Sequence, residues 1–153
     1  MGFYRAMNER KNFLGLDWGA AKIGVALAHE EMRLALSYGV FKNDEHLLEN
    51  IGATLEKEEI GTVVIGVPTR NAMRSESGGR QSAPRQGEHE GEKLGKRIAE
   101  RFGVTVAYQD EMFTSKMAQQ VLIAQGYAHV STHDDAEAAR ILLQSFLHQK
   151  PLA

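Results

Sequence analysis

The chain has 153 residues, 42% of them hydrophobic and 25% charged, with a net charge of −2 at pH 7 and no cysteine. That profile fits one globular domain with enough chain to bury a real core. It excludes disulfides, thiolate chemistry and thiolate zinc sites, and the charge does not by itself advertise nucleic-acid binding.

Met1 to Lys11 scatters Arg5, Glu9, Arg10 and Lys11 among apolar residues. It lacks the continuous apolar core of a signal peptide and reads as a poorly ordered lead-in. No stretch is long enough to span a bilayer, so a cytoplasmic protein without membrane contact is expected. Phe13–Leu16 and Ile23–Leu27 are short apolar runs that read as strands, with Gly19 and two alanines between them forming a tight turn. Asp17 stands at the end of the first strand. A carboxylate there is poor strand material and costly to bury unpaired. Its charge calls for backbone N–H groups of the Gly19 turn, a cationic side chain or a metal ion.

Arg33–Phe41 reads as a third strand that completes an antiparallel meander. Asn43-Asp44-Glu45 looks like a helix start, and Leu47, Leu48, Ile51 and Leu55 follow at helical spacing. Thr62–Val67 is a β-branched strand, ended by Pro68. Strand, helix, strand in this order implies parallel strands joined by a crossover helix. Thr69–Gln86 has no periodicity and carries Arg70, Arg74, Arg80 and Arg85 among serines and glycines. A structureless loop of this length is either functional or simply solvated.

Glu88–Phe102 reads as a helix stopped by Gly103, and Val104–Tyr108 as a fifth strand that runs into Gln109-Asp110-Glu111. A helix beginning at Thr114 or Ser115 and a last helix over Ala136–His148, preceded by Asp134-Asp135, complete the chain. The expected architecture is α/β, a mixed five-stranded sheet flanked by helices.

Three acids then stand at element ends: Asp17, Glu111 and Asp135. In an open α/β sheet, ligands collect outside the carboxyl ends of the parallel strands. Three carboxylates gathered there would repel one another unless a cation were present, and hard divalent ions take such oxygen ligands. A pair of ions of this kind can clamp a phosphoryl displacement. Each acid also has a plain reading: Asp17 as a turn-holder, Glu111 as a solvated loop acid with Asp110 an equal candidate, and Asp135 as a partner of the helix dipole.

The order of the motifs adds a resemblance. Leu14-Gly15-Leu16-Asp17-Trp18-Gly19 with Lys22-Ile23-Gly24-Val25-Ala26 resembles the opening motif of the YqgF (RuvX) family. Val64–Pro68, Asp110–Ser115 and Asp135–Leu147 resemble its central strand, its Asp-Glu-Arg-Leu-Thr-Thr segment and its closing helix. The resemblance spans nearly the whole chain from Asn12.

It implies a single ribonuclease H-like nuclease domain over 12–150, with Asp17, Glu111 and Asp135 as catalytic, metal-binding acids for Mg²⁺ or Mn²⁺, two ions in all. It also implies hydrolysis of phosphodiester bonds in structured nucleic acid. Maturation of the 5′ end of the 16S rRNA precursor is the leading function, with resolution of branched DNA and a non-catalytic ribosome-assembly role as alternatives. Either a monomer or a homodimer is compatible. Lys22 and the four loop arginines are the expected phosphate contacts. Three departures concern substrate handling: Met112 where the family usually has Arg, Ala28-His29 in place of Ser-Asp, and a longer loop after Pro68. A sugar-kinase-like ATPase also opens with a strand and Asp-x-Gly, but this chain has room for only one such domain and lacks a P-loop.

Overall fold

A computed structural model describes residues 10–67, 89–110 and 135–149. Within them the chain runs β1 (Asn12–Asp17), β2 (Lys22–Ala28), β3 (Ala35–Lys42), α1 (Leu47–Lys57), β4 (Ile60–Val67), α2 (Glu90–Phe102), β5 (Thr105–Asp110) and α3 (Asp135–Gln149). The strands form one sheet in the order β3-β2-β1-β4-β5. β1 pairs antiparallel with β2 and parallel with β4, and β4 pairs parallel with β5. The mixed five-stranded sheet expected from the sequence is therefore present. The helix expected from Thr114 or Ser115, the arginine loop and Glu111 lie outside the described residues.

β1 is the central strand and is covered on both faces, which explains why it reads as a near-continuous apolar run. The two faces carry different residues. On one, Leu14, Leu16, Ile23, Val25, Val63 and Ile65 meet Ile51 and Leu55 of α1 and Leu94 and Ile98 of α2. On the other, Phe13, Ala26, Ala28, Ala35 and Val64 meet Ala139, Leu143 and Leu147 of α3. The α3 face of β1 and β2 is thus built from small residues. A Cβ added to Gly15 would lie 2.9 Å from Leu143 Cβ, and one added to Gly24 would overlap the Asp135 carbonyl. The helix backbone sits closer to the sheet than ordinary side chains would allow.

Most element starts shift by a residue or two from the sequence reading, and two of the shifts have a visible cause. α1 begins at Leu47 rather than in Asn43-Asp44-Glu45. Asn43 is drawn away by tertiary contacts: its Nδ2 donates to the Gly19 carbonyl at 2.8 Å and its backbone N–H to the Ala21 carbonyl at 3.0 Å. Asp44 accepts from the His46 backbone N–H at 2.9 Å, a local turn that competes with the helix. β3 begins at Ala35, because Arg33 takes a left-handed backbone with φ 51°. Gln144 of α3 steadies this strand start. Its Oε1 accepts from the Ala35 N–H at 2.9 Å and its Nε2 donates to the Arg33 carbonyl at 3.3 Å.

α2 begins where a capping box forms. His89 Nδ1 accepts from the Gly91 N–H at 2.9 Å, and Glu92 Oε1 accepts from the His89 N–H at 3.0 Å. Gly103, at φ 71°, ends the helix as its sequence position predicts. No helix among the described residues is long and apolar enough to cross a membrane.

Candidate metal centre at the carboxyl edge of the sheet

The register of the sheet places the acids. Asp17 pairs with Gly24 across β1 and β2. Residues directly opposite in such a pair share a face. The virtual Cβ of Gly24 points at Asp135, so that face is the one α3 covers. Asp17 therefore stands on the α3 side, at the carboxyl end of β1. Asp135, the first residue of α3, lies over Gly24 on the same side. Two of the three expected acids are brought to one end and one face of the sheet by residues that leave no room for anything but glycine between them. Each is half-buried. Asp135 also sits in the first turn of α3 with Glu137, where the helix dipole favours negative charge.

Lys22 joins them. It lies two residues before Gly24, so it faces the same side. Its Nζ is 3.6 Å from Asp135 Oδ2. Across the strand pair its register partner is Lys42, which is exposed. The phosphate contact expected from the sequence is thus paired with one of the expected metal ligands.

The alternation of β5 separates Asp110 from this group. Asp110 is in register with Val67 and lies two residues beyond Tyr108, whose hydroxyl donates to the Glu92 carbonyl of α2 at 3.4 Å. The strand period puts Asp110 on the Tyr108 side, away from the α3 face. Its position in the strand thus differs from those of Asp17 and Asp135, which stand on the α3 side. Glu111 and the arginines at 70, 74, 80 and 85 lie outside the described residues. Among the described residues no three His, Asp or Glu side chains gather closely enough to hold an ion.

Among the described residues, Trp18 and His89 also stand near this edge. Trp18 packs against the core below the α1–α2 face. Its ring meets His89 edge-on, centroids 6.1 Å apart and planes at 74°. This packing makes Trp18 a support for the turn. Asn43 braces the same turn from the other side through its bonds to Gly19 and Ala21. His89 and Gly24 were not singled out by sequence reasoning. The small–large alternation of Lys-Ile-Gly-Val-Ala-Leu-Ala in β2 was a usable signal for Gly24. No local pattern marks His89, because its role depends on where α2 starts.

The donor set fits a hard divalent cation. Asp17 and Asp135 offer carboxylate oxygens, the Gly24 cradle fixes the backbone of one of them, and the Lys22 ammonium already stands as a cation against Asp135.

Comparison with known proteins agrees with this fold. A family model described as "RuvX: Holliday junction resolvase" matches residues 11–149. A protein of Anaeromyxobacter sp. (strain Fw109-5) named "Putative pre-16S rRNA nuclease" is 34% identical over 139 residues, covering 88% of this chain and 95% of that protein. One of the same name from Oenococcus oeni is 31% identical over 144 residues, covering 90% and 94%. Among solved structures, Thermus thermophilus RuvC in complex with a Holliday junction substrate superposes with a TM-score of 0.55 at 16% identity, covering 90% of this chain and 94% of that one. This likeness establishes the ribonuclease H-like fold. The chain belongs to the RuvX family of nucleases, hydrolytic enzymes built on that fold.

Proposed function

We propose that this protein is a divalent-metal-dependent endonuclease that hydrolyses phosphodiester bonds in structured RNA, with the 16S rRNA precursor as its substrate, in the cytoplasm. The observation that carries the metal-dependent reading is the convergence of Asp17 and Asp135 on one face at the carboxyl edge of the sheet, over a glycine. The names of the relatives point to the precursor rRNA. The family description points to a second substrate, branched DNA, which the same site chemistry would serve.

Asp17 and Asp135 would hold Mg²⁺ or Mn²⁺, with Glu111 as the third acid in this reading. When bound, such ions lower the pKa of a coordinated water and stabilise the leaving oxygen. The chain's own groups do the rest. Gly24 and the α3 backbone keep Asp135 at a fixed height above the sheet, and Asn43 and Trp18 hold the turn that carries Asp17. Lys22 supplies a mobile positive charge beside the acids, and Arg70, Arg74, Arg80 and Arg85 would hold the phosphate backbone away from the reacting group.

The test is single-turnover cleavage of precursor rRNA and of a four-way DNA junction, with Mg²⁺, with Mn²⁺ and with chelator. Metal-dependent cleavage of the RNA in preference to the junction is expected. The reverse preference would select the junction reading. Binding of either without cleavage would leave a non-catalytic assembly module, and cleavage in chelator would remove the metal.

A further inference from the structure

The Lys22–Asp135 pair stands where the proposed function needs a free carboxylate. An ammonium ion and a divalent cation cannot share the same carboxylate oxygen at full strength, because the two positive charges repel and each wants the same lone pairs. The two partners differ in freedom. The backbone of Asp135 is held by close approach to Gly24, so the carboxylate stays at the sheet edge. The Lys22 side chain is 59% exposed against 30% for Asp135, so the lysine is the partner free to swing away. Its neighbour across the strands is Lys42, so an unpaired Lys22 ammonium would face a like charge. That pushes Lys22 onto Asp135 when no other anion is present, and toward an incoming phosphate when Asp135 is taken.

We infer that Lys22 is a placeholder cation: it neutralises Asp135 in the metal-free protein, is displaced when a divalent ion binds, and is thereby handed to the phosphodiester. This rests on the metal-centre reading above and adds to it a coupling between metal and nucleic-acid binding through one residue. In linkage terms, anything that removes Lys22 from Asp135 raises metal affinity, and metal in turn raises the affinity of Lys22 for phosphate.

The experiment measures Mn²⁺ binding by calorimetry on the full chain, in wild type, Lys22→Gln, Asp135→Asn and the double variant. An exposed ion pair of this kind corresponds to about a two- to fivefold change in affinity. Lys22→Gln is expected to bind Mn²⁺ tighter by that factor, and the substitution should have no effect once Asp135 is Asn. A second readout is the binding of a short uncleavable phosphorothioate RNA. Mn²⁺ should strengthen it more in wild type than in Lys22→Gln. Unchanged or weaker Mn²⁺ binding by Lys22→Gln, with Asp135→Asn clearly impaired, would overturn the placeholder role while leaving the metal centre standing. Unimpaired Mn²⁺ binding by Asp135→Asn would instead remove the metal centre at Asp135, and the placeholder with it.

Discussion

Gly24 of β2 lies directly beneath the backbone of Asp135, so closely that a methyl group on the glycine would overlap the Asp135 carbonyl. The clash is with backbone, which cannot rotate away as a side-chain tip can. Gly24→Ala should therefore lift the first turn of α3 and move Asp135. Overpacking of this kind costs about 1–3 kcal/mol. Urea unfolding should show that loss, and cleavage should fall further than stability alone explains. A variant with wild-type stability and activity would show that α3 does not sit tightly on β2.

Asp17 faces the same side as Gly24, its partner across the strands. Asp17→Asn keeps the shape and one carbonyl oxygen but removes the charge. In the proposed role of metal ligand, its loss should cost more than the roughly 10–100-fold typical of groups that merely support ligands. Nucleic-acid binding should change little. Single-turnover cleavage beside a binding isotherm checks both, and wild-type cleavage would return Asp17 to holding the turn.

Tyr38 on β3 donates its hydroxyl proton to Glu58 Oε2 at 3.0 Å, just beyond α1. Burial, then the hydrogen bond to Glu58 and its charge, raise the phenol above its ordinary value of 10.0. The fold thus favours the neutral phenol. The bond contributes fully below the ordinary value and is lost as pH rises through the raised one. Tyr38→Phe should cost about 0.5–1.5 kcal/mol at pH 7. The gap between wild type and variant should shrink in alkaline solution. Parallel urea titrations across that range would refute the bond if the gap stayed constant.

Gln144 joins α3 to the start of β3 through both ends of its amide. Beside it, Arg33 Nη2 donates to the Leu147 carbonyl at 2.9 Å. Gln144→Ala leaves the Ala35 N–H and the Arg33 carbonyl without this partner, which should cost about 1–3 kcal/mol. The expected signature is a lower urea midpoint together with faster hydrogen exchange at Ala35. Exchange unchanged there would show that water replaces the amide without penalty.

Periodicity and composition alone determined the strands, the order of the described elements and the mixed sheet, because apolar alternation and helical spacing are local properties that survive in any context. The same local signals located Asp17 and Asp135 at element ends. They failed at Asn43-Asp44-Glu45, whose capping chemistry is real but is spent elsewhere: Asn43 is used by the Gly19 turn, far from it in sequence but near in space. They also left Asp110 and Glu111 as equal candidates, and the face that Asp110 takes on β5 follows only from its register with Val67. Only the tertiary structure decided which acids share a face. The cross-strand register does so by pairing Asp17 with Gly24, and the absence of a side chain at Gly24 lets Asp135 descend onto the same edge. The pairing of Lys22 with Asp135 belongs to the same class. It joins residues more than a hundred positions apart, and no local pattern encodes a contact that exists only once α3 has closed over the sheet.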